Sequence, residues 1–113
     1  MHEMSIAMNI FDIVCEKAGK ENASRIVEIE LDIGTQAGIE FQALEFALGT
    51  INKNDLLKKT LFKINKIMAK AECNDCHNEF EMINLYSPCP YCSSYNNKLI
   101  TGKELRIKSI LIE

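Results

Sequence analysis

Cys73, Cys76, Cys89 and Cys92 form two C-x-x-C pairs with twelve residues between them. Two intervening residues let a tight turn aim both sulfurs of a pair at one point. Two such turns can close a tetrahedral four-sulfur site, the geometry that suits Zn2+. The flanking residues agree. Pro90 presets a turn backbone, Ser93 or Ser94 can donate to a thiolate, and Glu79 to Leu85 have the length of a short hairpin arm. The pattern is that of a zinc ribbon. Disulfides, redox C-x-x-C motifs and a C-x-x-C-H haem attachment at Cys73 to His77 are weaker readings. Disulfides and haem call for an exported chain, and the N-terminus does not read as a secretory signal. His77 reads as an exposed polar residue before it reads as a spare zinc ligand. A closed tetrathiolate has no open coordination position, so it contributes folding free energy rather than catalysis. Reduced thiols fit a cytoplasmic protein.

A second constellation lies at Met1-His2-Glu3. A large second residue disfavours removal of the initiator Met, so Met1 is expected to keep a free amine. That amine, the His2 amide nitrogen and His2 Nδ1 can chelate one metal through fused five- and six-membered rings. The amide nitrogen or the carboxylate of Glu3 can supply a fourth donor. Planar, nitrogen-rich donation suits Ni2+ or Cu2+. The site has few donors and lies at a terminus, so its metal should exchange. On its own the tripeptide is a weak signal, because a His at position 2 is usually an ordinary terminal residue.

These residues need elements to position them. Ser5 to Ala18 carries Ile6, Ile10, Ile13 and Val14 at helical spacing, with Gly19 where a C-terminal cap would stand. Ser24 to Ile33 alternates, with Val27, Ile29, Leu31 and Ile33 on one face and Glu28, Glu30 and Asp32 on a face that reads as solvated. Gly34 to Gly38 reads as a loop. Ile39 to Lys53 returns to helical spacing through Phe41, Leu44, Ala47, Leu48 and Ile51. Thr60 to Ala71 reads as one long strand, and Leu105 to Ile112 as the last. The order predicts an α+β fold: two helices packed on an antiparallel sheet of about three strands, with an inserted zinc-ribbon-like lobe. The expected domains are 1–72 with 99–113, and a four-cysteine lobe at 73–98. Cys15, near the first apolar stripe, reads as a buried inert thiol.

Composition narrows the function. The 113 residues are 47% hydrophobic, enough for a core. The net charge of −3 and an aromatic content of 7% without Trp argue against nucleic-acid binding, which favours basic and stacking surfaces. No apolar run approaches the roughly 18 residues of a membrane span. No Ser-His or Cys-His nucleophile pattern and no phosphate-cradling Gly-rich loop marks an enzyme. A zinc-ribbon interaction or nucleic-acid-binding module with structural zinc only stays open as the alternative.

Met1-His2-Glu3-Met4-Ser5, the Glu30-Leu31-Asp32-Ile33-Gly34 strand end, the spaced C-x-x-C pairs and the closing Gly102-Lys103-Glu104-Leu105-Arg106-Ile107-Lys108 together resemble the HypA/HybF family. The resemblance covers nearly the whole chain. It implies a nickel metallochaperone of [NiFe]-hydrogenase maturation rather than an enzyme, with transient Ni2+ at the N-terminus and structural Zn2+ in a separate lobe. His2 is then the principal nickel ligand, helped by Met1 and Glu3. Glu40 falls where the family often has an acidic residue near nickel, although a first-turn Glu also favours the positive end of a helix. The partners implied are a HypB-type GTPase, the hydrogenase large-subunit precursor and, in some bacteria, urease maturation proteins. A homodimer is among the expected assemblies.

Overall fold

The computed structural model describes residues 3–51, 55–84 and 86–113. The elements are α1 (Glu3–Lys20), β1 (Ile26–Gly34), α2 (Phe41–Ile51), β2 (Leu61–Ile67), β3 (Lys70–Cys73), β4 (Glu79–Glu81), β5 (Asn97–Thr101) and β6 (Leu105–Ile112). Of the expected second helix, Asn52 and Lys53 lie outside the described residues.

The buried stripe of α1 is Ala7, Ile10, Val14 and Ala18. Ile13, expected on that stripe, is exposed. The small alanines carry the stripe instead. The helix also runs through Gly19, the expected cap, and stops at Asn22, whose φ of 52° is left-handed. There the Ala23 N–H donates to the Ala18 carbonyl (2.9 Å) and the Asn22 N–H to the Gly19 carbonyl (3.2 Å). These are the paired bonds of a Schellman motif, with Asn in place of the usual Gly. Lys17 and Lys20 in the last turn and Glu3 in the first both suit the helix dipole.

The strands form two three-stranded sheets, in the orders β2-β1-β6 and β4-β3-β5. In the first, β1 and β6 are antiparallel, as expected: Glu113 N–H donates to the Arg25 carbonyl and Gly34 N–H to the Glu104 carbonyl. The β1–β2 pair runs the other way. Ile26 bonds to Leu56 and to the Thr60 hydroxyl, while Thr35 bonds to Ile67. The sheet is therefore mixed, with α2 as the crossover that a parallel pair requires.

The chain divides into two compact units. The first holds the described residues up to Leu31, Ile39–Asn65 and Arg106–Glu113; the second holds Asp32–Gly38 and Lys66–Leu105. In the first unit α1 packs on α2. The core gathers the α1 stripe, Leu44, Ala47 and Leu48 of α2, Leu57, and Ile26, Ile29 and Leu31 of β1. The polar face of β1 is less solvated than its alternation predicts. Glu30 accepts from Asn65 Nδ2 (2.7 Å) and lies 3.5 Å from Lys108 Nζ and 4.0 Å from Lys63 Nζ. Its carboxyl is held below the usual range, first by the Asn65 bond and then, against some burial, by the two lysines. Asp32, on the same face, is buried.

The expected long strand from Thr60 to Ala71 is two strands that join different sheets. The break falls at Met68 and Ala69, where the backbone changes partners. The Met68 carbonyl accepts from the Thr101 hydroxyl, Ala69 N–H donates to Thr35 Oγ1, and the Ala69 carbonyl accepts from Met82 N–H. In the second sheet Ala71 sits opposite Phe80 on one side and Leu99 on the other. A small residue between two large ones lets β3 bury Ala71 and Cys73 against Phe80, Met82 and Leu99. The expected hairpin arm is the three-residue strand β4, and Leu85 lies outside the described residues.

Candidate metal centres

The two C-x-x-C turns are built alike. In the first, His77 N–H donates to the Cys73 carbonyl (2.9 Å) and Cys73 N–H to the Asn78 carbonyl (2.9 Å). In the second, Ser93 N–H donates to the Cys89 carbonyl (2.8 Å) and Cys89 N–H to the Ser94 carbonyl (2.8 Å). Each turn closes with a left-handed residue directly after its second cysteine: His77 at φ 61° and Ser93 at φ 64°. Amide N–H groups also point at sulfur, from Cys76 to Cys73 Sγ (3.5 Å) and from Tyr91 to Cys89 Sγ (3.4 Å). Asn74 N–H donates to the Asn96 carbonyl, and the Ser94 hydroxyl bonds the Asp75 carboxylate.

The four sulfurs converge. Cys73 and Cys92 are 3.5 Å apart, Cys76 and Cys89 3.6 Å, and all four Sγ atoms lie within 4.8 Å of one another. A tetrahedron with Zn–S bonds of about 2.3 Å has edges of roughly 3.8 Å. None of the cysteines is in a disulfide. The donor set and its spacing fit a tetrathiolate Zn2+ site. Cys73 and Cys89 are buried and belong to the core of the second unit, so bound metal would complete that core.

The thiols differ in acidity. Cys76 is pushed down to about 6, first by the Asn78 backbone N–H, then by the Asn78 side chain and the neighbouring thiols, against burial. Cys92 also receives a backbone N–H, from Ser94, which favours its thiolate. The bonds to the other three thiols and burial outweigh it and push Cys92 up to about 12. Four thiolates cannot crowd together without a cation. Metal binding must therefore expel protons that the bare cluster would keep.

The sequence named Ser93 or Ser94 as a donor. It is the Ser94 backbone that serves Cys92, while Ser93 makes the corner. Asn78 was missed, though it occupies the same place after Cys76 that Ser94 has after Cys92. His77 is that turn's corner, with an exposed imidazole whose Nδ1 is 3.8 Å from Glu72 Oε1. It is not among the clustered donors. Cys15 is half-buried rather than buried, and its thiol is pushed up by burial and by Asp12.

Of the terminal constellation, Met1 and His2 lie outside the described residues, and Glu3 opens α1. Glu40 precedes α2 and caps it: its carboxylate accepts from Gln42 N–H (3.1 Å) and Ala43 N–H (2.6 Å). Glu40 N–H in turn donates to Glu3 Oε2 (3.0 Å). Two acidic residues far apart in sequence thus meet at the N-terminal end of α2. No described helix is long and apolar enough to cross a membrane.

The chain is similar to known proteins over its whole length. It is 46% identical over 113 residues to a hydrogenase maturation factor HypA of Parabacteroides distasonis, covering all of this chain and 98% of that protein. It is 34% identical over 112 residues to the factor of the same name from Geotalea daltonii, covering 99% of each. The solution structure of the Ni metallochaperone HypA from Helicobacter pylori superposes with a TM-score of 0.67 at 25% identity, over 99% of this chain and 97% of that one. A second HypA solution structure gives 0.69 at 26% identity, over 100% and 97%. The family model described as hydrogenase/urease nickel incorporation, metallochaperone, HypA matches residues 1–112, and the chain belongs to that family.

Proposed function

We propose that this chain is a nickel metallochaperone of hydrogenase maturation that takes up Ni2+ at its N-terminus and passes it on by ligand exchange. The observation that carries the reading is the family match over residues 1–112, which includes Met1-His2-Glu3. The four-cysteine cluster supports it from the other side, because a site of that donor set and spacing suits a resident structural Zn2+ and leaves the exchangeable cargo to another site.

In this reading the Met1 amine, the His2 amide and Nδ1, and the Glu3 amide nitrogen hold nickel, with Glu40 as an accessory group. The nickel site belongs to the first compact unit and the zinc site to the second, whose Lys66–Leu105 stretch is wider than the expected 73–98 lobe. The protein is not an enzyme: its chemistry is binding and release. Nickel moves to a target with more or better donors, so the terminus should bind moderately and release quickly. The partners are a HypB-type GTPase and the [NiFe]-hydrogenase large-subunit precursor in the cytoplasm, with urease maturation proteins where that enzyme is made. A homodimer is compatible with this role. Cu2+ would outbind Ni2+ at such donors, so metal availability or a loading partner must select nickel.

Unperturbed α-amines titrate near ~7.7–8.0 and His near ~6.5. Both must lose a proton to bind, so nickel affinity should rise with pH across that range. The test is nickel titration of the zinc-loaded chain beside His2→Ala, with metal analysis of both. The reading expects zinc in both and nickel uptake only in the unchanged chain. A chain that holds zinc and takes up no nickel would be a zinc-only interaction module.

A further inference from the structure

α2 has an unusual N-terminal cap. In a capping box the residue three positions after the cap reaches back to accept the cap's own N–H. Here Glu40 is the cap, and its carboxylate serves Gln42 and Ala43 N–H. The residue that would reach back is Ala43, which has no side-chain acceptor. The Glu40 N–H is instead accepted by Glu3 Oε2 at 3.0 Å. Two carboxylates thus satisfy three of the amides that a helix start leaves without intrahelical partners, and one comes from a different helix. Glu3 is also the residue next to His2 in the chain. Consecutive Cα atoms lie about 3.8 Å apart, so a hold on Glu3 confines His2 to within one peptide unit of it.

We propose that Glu3 acts toward nickel as a positioning residue: its carboxylate, locked to the Glu40 amide, seats the amino terminus at the start of α2. The inference rests on the terminal nickel site proposed above. It assigns the Glu3 side chain to the seat rather than to the metal. Glu40 acts through the same lock, by fixing the amide that Glu3 grips. An unseated terminus samples more conformations and must lose that freedom when it wraps nickel.

The full-length zinc-loaded chain is titrated with Ni2+ as wild type, Glu3→Ala, Glu3→Gln, His2→Ala and the double variant Glu3→Ala with Ala43→Glu. Affinity, the nickel d–d absorption band, the Glu40 amide NMR resonance and thermal stability are read for each. Glu3→Ala should weaken nickel binding about fivefold, the order of one net hydrogen bond, without moving the absorption band. It should also release the Glu40 amide. Glu3→Gln keeps a side-chain acceptor and should stay within about twofold of wild type. In the double variant the carboxylate introduced by Ala43→Glu can reach back to Glu40 N–H, so stability should return while nickel affinity stays low. That split separates seating the terminus from merely capping a helix. The proposal is overturned if Glu3→Gln loses as much as Glu3→Ala with a shifted band, since the carboxylate would then be a donor. It is equally overturned if Glu3→Ala binds nickel like wild type, or if the double variant regains affinity. His2→Ala keeps the two levels apart. If it too binds like wild type, the terminal site itself is wrong; if it loses nickel while the Glu3 variants misbehave, only the seat is wrong.

Discussion

At the residue scale the zinc cluster depends on corners that its spacing does not announce. Each C-x-x-C turn must bend left-handed at the next residue, and this chain places His77 and Ser93 there. A side chain in that region costs about 1 kcal/mol or more, which Gly avoids. His77→Gly and Ser93→Gly should therefore each stabilise the zinc-bound protein by up to about 1 kcal/mol, offset in part by the freer unfolded chain. Thermal unfolding of the two variants checks this, and a marked loss at either position would refute the strain argument. The cysteines were legible because ligand spacing is a local constraint. His77 was not, because a residue that tolerates its backbone poorly gives no sign of where it sits. Acidity offers a second residue-level test. Metal binding requires all four thiols to lose protons, and while Cys76 is pushed down to about 6, Cys92 is pushed up to about 12. Apparent zinc affinity must then rise with pH, because protons compete with the metal for the sulfurs. A chromogenic chelator should extract zinc far faster at pH 5 than at pH 7.5. Equal rates would contradict the ligand set.

At the element scale the close approach of Gly34 to Gly102 is the constraint with the sharpest consequence. A Cβ on Gly34 would collide with the Gly102 carbonyl group, and one on Gly102 would come 2.6 Å from Ala69 Cα. Both obstacles are backbone and cannot swing aside. Gly34→Ala should cost about 3 kcal/mol, at the upper end for overpacking, and denaturant unfolding would register it. The same crossing explains the misread strand. Phe62, Ile64 and Met68 share one face of the expected strand, but Thr35, Thr101 and Met82 redirect the backbone at Met68 and Ala69. Those partners are remote in sequence, so no local breaker marks the change of sheet. The β1–β2 direction was hidden for the same reason, since alternation shows a strand's faces and not its neighbour's sense. Both helices were legible because apolar residues recur at helical spacing over most of their length. Even there the cap at Asn22 escaped, because Gly19 offered the more familiar signal.

At the scale of the whole molecule, folding and function use different metals. The unit that holds the cysteines has a small core of Ala69, Ala71, Cys73, Phe80, Met82 and Cys89. So few apolar side chains seldom hold a unit together without a metal or disulfide. Removing zinc, or changing Cys73 to Ala, should abolish amide exchange protection in β3, β4 and β5 while α1 and α2 stay protected. Equal loss in the helices would mean that zinc stabilises the whole chain. Nickel carries the function, and the donors proposed for it include an amine that no side-chain substitution alters. The most direct test is therefore nickel titration of the untagged chain beside one extended by a single residue before Met1. The extension keeps every side chain and the zinc cluster but moves the amine away from His2. The account predicts that the extended chain retains zinc and loses the high-affinity nickel site. Equal nickel binding by both chains would contradict it.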